Sequence, residues 1–443
     1  MSITKLIDPL SAESVTKRIK FFKPKPTDVS HEKYKWAAYQ PLNPVSDPPW
    51  LYKLPSISSY ADFTNMYMEI QMRVSKRAVG STVYEHIAPT DPISFIQMPG
   101  NCLQTVIITS GGREIYNCNA QALKTYIDAM MSFPDEVKNS HYEITGYRED
   151  DRDQVQAYAL GRGFNRRRQL ITNGKIAEFI TKIDADILNI EDYFINNTEI
   201  EISATPLSAA FLLLCPGLGP NIEVRLEFLK ARLFVPYQDL MPALNLDITR
   251  MLENGENVYY SILKSHIQTL YIGEGMDEVN GTIFINQLPR KIIVGLVLRN
   301  DMNGDVRTSP YAFQPFNIQS IRIDCNGIQY PNIEYDLNFS ENRFARAYFD
   351  MQQNCGNAFR PFTNGITLEM YKKEYTFFAF NLSASLEDHK NHELIRNGAT
   401  MIHVKLRTPV GVGTGGVNVV IYGMFDSLVK IDRNRTITTD ASP

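Results

Sequence analysis

Val417-Asn-Val-Val-Ile-Tyr-Gly-Met-Phe-Asp-Ser-Leu-Val-Lys-Ile431 runs fifteen residues with little polar interruption and then meets the charged Asp432-Arg-Asn-Arg435. A β-branched and aromatic run of this length reads as one long buried strand ending in a charged tail. The segment before it, Gly411-Val-Gly-Thr-Gly-Gly416, fits the Gly-x-Gly-x-x-Gly dinucleotide pattern letter for letter. Its context is wrong for that chemistry. A pyrophosphate site needs a helix N-terminus after the glycines, whereas Val417, Val419 and Ile421 continue as a strand, so the glycines are expected to form a flexible surface hairpin.

Working back along the chain, strand patterns recur at Val258–Ile272, Thr282–Leu288, Lys291–Leu298, Ile318–Cys325, Thr376–Leu382 and Met401–Arg407. In the fourth, Ile321, Ile323 and Cys325 alternate with Arg322 and Asp324 before Asn326-Gly327 makes a type I′ turn into Ile328. The first half has the same character. Met66, Met68, Ile70, Met72 and Val74 point one way and Tyr67, Glu69, Gln71 and Arg73 the other. Leu103–Thr109 reaches Ser110-Gly111-Gly112, a tight hairpin, and pairing resumes at Glu114. Further strands are expected at Ile183-Ala185-Ile187, Ile200-Ile202-Ala204 and Ile222–Phe228. One helix stands out, with Leu123, Tyr126, Ile127, Met130 and Met131 on one face and Pro134 as its stop.

A chain of 443 residues with 44% hydrophobic content holds apolar material for two cores. The strand pattern lapses between Pro236 and Asn257, and the junction is expected there. The resulting division is an N-terminal arm over 1–50, a first sandwich over 51–245, a second over 246–435 and a tail over 436–443. Each half has many short strands and at most one helix, which indicates an all-β chain of two sandwiches of the jelly-roll type, although the pattern alone does not separate jelly-roll from immunoglobulin-like topology. The arm has no sustained periodicity and several prolines, and through Trp36 it carries eight basic against four acidic residues. It is read as a solvated linker or as an arm touching a neighbouring subunit or DNA. The whole chain carries −4, so any DNA contact must be local.

Five cysteines, at 102, 118, 215, 325 and 355, lack metal or disulfide spacing and read as reduced core thiols. No run of about 18 apolar residues and no leader-like N-terminus are seen, so a soluble chain in a reducing compartment without membrane insertion is expected. His392-Glu393 lacks a second histidine at Arg396, and no pair of histidines has His-x-His spacing. His403 falls on a polar strand face. Glu149-Asp-Asp-Arg-Asp153 is an acidic loop. No catalytic, cofactor-binding or metal site is expected, and no cofactor. The basic residues weighed as inter-subunit or DNA contacts are Lys17, Arg18, Lys20, Lys23, Lys25, Arg166, Arg167 and Arg168.

Several blocks resemble a known family in the same order along the chain. In the first half these are Leu51-Tyr-Lys-Leu-Pro55, Asp62–Met68, Asn101–Tyr116 and Gly163-Phe-Asn-Arg-Arg-Arg-Gln-Leu170. In the second they are Leu288–Val297, Asn303-Gly304, Ser309–Ile318, Tyr375–Leu382, His392–Gly398 and the closing Val417–Arg435. Together, from about Trp50 to Arg435, they resemble the double jelly-roll major capsid proteins of Polinton/Maverick elements, adintoviruses and virophages. The resemblance implies two consecutive eight-stranded jelly rolls in each chain and three chains in a pseudo-hexagonal capsomer. It also implies a structural role in an icosahedral virion shell around double-stranded DNA. Its partners would be other copies of the chain, penton and minor capsid proteins, and DNA held without sequence specificity. Two rivals stand beside it: a two-domain β-sandwich that binds ligands or glycans, including a capsid gene reused by a host, and a jelly-roll hydrolase.

Overall fold

The structure is a computed structural model that describes residues 24–149, 161–384, 392–394 and 396–439. Its first half is built on eight main strands: β1 (His31–Tyr39), β2 (Trp50–Leu54), β3 (Tyr67–Ala78), β4 (Leu103–Ser110), β5 (Arg113–Cys118), β6 (Ala177–Thr181), β7 (Ile200–Pro206) and β8 (Ile222–Leu240). One sheet runs β1-β8-β3, with β6 on the far edge of β3, and the other runs β2-β7-β4-β5. The second half repeats the plan with β9 (Val258–Ile272), β10 (Glu278–Phe284), β11 (Lys291–Leu298), β12 (Ile318–Cys325), β13 (Ile328–Tyr330), β14 (Phe377–Asn381), β15 (Thr400–Leu406) and β16 (Val417–Ile431). Its sheets run β9-β16-β11-β14 and β10-β15-β12-β13. The main helices are α1 (Gln121–Ser132), α2 (Arg162–Arg168), α3 (Pro242–Glu253), α4 (Ala345–Asn354) and α5 (Leu368–Lys373).

Period-two patterning does what it should in both sandwiches. Met68, Ile70, Met72 and Val74 of β3 are fully buried, and Trp50 of β2 meets Phe228 of β8 with ring centroids 5.1 Å apart. In the second sandwich Ile321 and Ile323 of β12 are buried beside Ile402 and Val404 of β15, and Phe284 of β10 packs edge-on against Phe425 of β16 at 4.9 Å. The tight turns follow their sequences: Gly111 and Gly112 take positive φ of 56° and 76° in the β4–β5 hairpin, and Asn326-Gly327 takes 48° and 83° before β13. The helix expected before Pro134 is α1.

Several expectations are corrected. Ile183, Ala185 and Ile187 are buried but form no strand, because the segment follows β6 and turns into a short 3-10 helix at Asp186–Leu188. Alternate burial there comes from packing without a paired neighbour. β8 does not stop at Pro236 but continues to Leu240, with Pro236 opposite Trp36 of β1. α3 then spans the position expected to separate the halves. The strand expected at Thr282–Leu288 is shifted to Glu278–Phe284, where it can pair with β15. Within the 1–50 arm, His31–Tyr39 is an edge strand on β8, held by main-chain bonds that need no apolar pattern of its own. The halves also contain more than one helix each; α4 and α5 both lie in the second. Finally, Gly411–Gly416 is not a hairpin, since it carries the chain from β15 in one sheet to β16 in the other.

Candidate functional site

The long β16 run lacks alternation because both of its faces are covered. Successive strand side chains point to opposite faces. Phe425 therefore points into the second sandwich with Phe284, while Tyr422, Met424 and Asp426 point the other way, toward the first half. Helix α1 and the segment after β6 meet that outer face and form a seam between the sandwiches. Part of the seam is aromatic: Tyr126 of α1 stacks on Tyr311 with centroids 4.1 Å apart and planes 2° from parallel, and Phe211 meets Tyr311 edge-on at 5.9 Å. Gln97 donates to the Tyr375 hydroxyl at 3.2 Å, and Asp135 N–H donates to the Thr363 carbonyl at 2.9 Å.

The rest of the seam is polar and surrounds a cavity of about 760 Å³ lined from both halves. Lys124, only 2% exposed, places Nζ 2.9 Å from Asp184 Oδ2, 3.3 Å from Asp128 Oδ2 and 3.5 Å from Asp186 Oδ1. Asp186 reaches across to β9, where Ser265 N–H and Oγ–H donate to its carboxylate at 2.8 and 2.7 Å. Asn189 donates to Asp184 Oδ1 at 2.7 Å, and Arg290 pairs with Asp426 at 3.2 Å. Burial opposes charge on Lys124, yet its three carboxylate neighbours hold its ammonium well above the usual lysine range. Burial raises the Asp186 carboxyl against the pull of Lys124 and Ser265. Asp184 is held low despite burial, because Lys124 both attracts it and donates to it. Lys124 from one sandwich and Ser265 from the other converge on the same carboxylate, Asp186, which is the arrangement of a joint.

Sequence reasoning did not find this cluster. A signal was present in the Lys124–Asp128 pair, one helical turn apart on α1, and in Asp184 and Asp186 set among buried apolar neighbours. Of the basic candidates, Lys17, Arg18, Lys20 and Lys23 lie outside the described residues, as do Asp150–Asp153 of the acidic run. Lys25 is exposed. Arg166 is exposed and Arg168 half-buried, with an Nη1–H to the Asp91 carbonyl at 3.4 Å. Arg167 is no surface contact at all. It is fully buried, its Nε–H donating to the Phe95 carbonyl at 2.9 Å and Nη1–H to the Arg148 carbonyl at 2.8 Å, because successive residues on a helix point about 100° apart. The structure therefore does not gather the three arginines into one basic face.

The sites weighed for chemistry remain apart. His403 stands half-buried on β15 between Asn280 and Arg322 of the neighbouring strands. His392 lies in a loop and turns toward Asp426 at 3.5 Å on the cavity wall. All five cysteines are free, and burial pushes the thiols of Cys102 and Cys215 up to about 12, which keeps them protonated and unreactive. Among the described residues no group of three or more His, Cys, Asp or Glu is placed to hold a metal ion, and no helix is long and apolar enough to cross a membrane.

Two sandwiches of four-stranded sheets, joined side by side over a buried seam, define the double jelly-roll fold. The same fold occurs in a chain of the Sputnik virophage, with a TM-score of 0.61 at 13% identity over 100% of this chain and 96% of that one. It occurs also in the mavirus major capsid protein, at 0.58 and 13% over 99% and 95%, and in the Faustovirus major capsid protein, at 0.55 and 9% over 95% and 92%. In sequence, the chain is 25% identical over 403 residues to uncharacterized protein F54H12.2 of Caenorhabditis elegans, covering 89% of this chain and 93% of the relative. No protein-family model matches it.

Proposed function

We propose that this chain is a major capsid protein that self-assembles into trimeric, pseudo-hexagonal capsomers and, through them, into an icosahedral shell around double-stranded DNA. The observation that carries the reading is the seam. It fixes two jelly rolls side by side as one unit, so three copies present six similar sandwiches around a threefold axis. Residues 51–245 and 246–435 are the two jelly rolls in this reading, with α3 as their connection. Apolar groups left on the outside supply adhesive surface: Leu244, Leu246 and Met251 on α3, and Phe359, 96% exposed, near Phe362. Penton and minor capsid proteins would complete the shell. Lys17, Arg18, Lys20, Lys23 and Lys25 would touch a neighbouring subunit or DNA, and Arg166 and Arg168 are contacts of the same kind. Placement within the Polinton/Maverick, adintovirus and virophage group rests on the ordered sequence blocks. The role is structural rather than enzymatic, and its setting is the virion.

The trimer is directly testable. Light scattering on the purified chain should give three times the 50.5 kDa chain mass and hold that value on dilution to micromolar concentration. A monomer at that concentration would contradict the capsomer.

A further inference from the structure

The charge count at the seam is uneven. One ammonium, Lys124, faces three carboxylates within 3.5 Å, and Asp128 and Asp184 both close on the same Nζ, so without a bound proton the cluster holds more negative than positive charge. We propose that the seam is a proton-gated joint: it is tightest while one proton is held between Asp128 and Asp184, and it loosens when that proton leaves. The parts of the joint belong to both sandwiches. Asp128 sits on α1 and lines the same cavity as Tyr422 of β16, while Asp186, in the same cluster, holds Ser265 of β9. Loss of the proton sets two adjacent carboxylates against each other beside the groups that tie the halves together.

The groups facing Asp128 are Lys124 on its own helix, Asp184 and Asp186 after β6, Tyr142, and Tyr422 of β16. Lys182, Glu191, Asp192, Arg290, His392 and Asp426 stand further round the cavity. Asp128 keeps 26% of its side-chain surface accessible and lines that cavity, so a proton can come and go without unfolding. Burial, partly offset by Lys124 and reinforced by Asp184, raises its carboxyl from 3.8 to about 7. A carboxyl raised on folding binds its proton more tightly in the folded chain. Its stabilising effect is therefore full below the ordinary carboxylate range and is lost as pH rises through about 7. Asp186 is shifted the same way. Asp184, held low, acts in the opposite sense and only below the ordinary carboxylate range.

Hydrogen exchange of the full chain, corrected for intrinsic rates, tests this at pH 6 and 8. Protection at seam amides such as Ser265 should fall severalfold between the two, at most about tenfold per pH unit for one proton, while β12 amides change little. Asp128→Asn, which keeps the shape and cannot ionise, should abolish the fall. His392→Gln, a change at another ionisable side chain on the cavity wall, should leave it. Parallel changes in β12, an unchanged profile in Asp128→Asn, or a profile flattened by His392→Gln would each overturn the assignment. The wild-type comparison of seam with β12 stands even if the variant fails to fold, and it is independent of whether the chain builds a shell.

Discussion

Ile323→Asp is expected to abolish soluble protein. Ile323 is fully buried on β12, between Ile402 of β15 and Tyr330 of β13. Placing an unpaired charge there costs about 3–5 kcal/mol, a large part of what holds a domain folded. His403→Ala, one position along the neighbouring strand and on its outer face, should leave expression and oligomer size unchanged. Comparing soluble yield and elution volume of the two variants checks both. An Ile323→Asp chain that purifies like the wild type would mean the inner face of this sheet has been misassigned. Loss of a ligand-binding or catalytic activity in His403→Ala would favour the binding-module or hydrolase reading.

Lys124→Met should be nearly as damaging, for a different reason. Methionine fills the volume of the lysine stem, so the change removes the ammonium and leaves Asp128, Asp184 and Asp186 facing one another at the seam. Breaking a largely buried ion cluster from one side costs about 3–5 kcal/mol, because the remaining charges have lost their partner and most of their water. Denaturant unfolding should show the loss at pH 8, and adding Asp184→Asn to Lys124→Met should recover part of it. A single variant within about 1 kcal/mol of the wild type, the range of ordinary surface changes, would show that the cluster is solvated rather than buried.

What the sequence revealed and what it concealed follow from the range of the forces involved. Val258–Ile272, Lys291–Leu298 and Val417–Ile431 have the expected bounds because their apolar runs are local and end at turn residues. α1 was legible for the same reason: five apolar residues share a face and Pro134 ends it. Ile183-Ala185-Ile187 misled because burial on alternate residues can be produced by a coil packed against α1 and β9 as well as by a ladder. β1 was hidden because an edge strand draws on the main chain of β8, and its exposed Tyr34 and Trp36 give no inner face to read. The seam was the least legible part. Lys124 meets Asp184 sixty residues on and Asp186 meets Ser265 seventy-nine residues on, so only the three-dimensional path joins them. Arg167 illustrates the converse, since three consecutive arginines look like a basic patch until the helix turns one of them inward.

In this reading two fused jelly rolls make the chain a shell-building unit. Electron microscopy of the purified full-length protein under assembly conditions tests it most directly. Threefold capsomers with a pseudo-hexagonal outline are expected, together with closed particles in which those capsomers tile the surface. A field of single two-lobed molecules with neither capsomers nor particles at any concentration tried would contradict it.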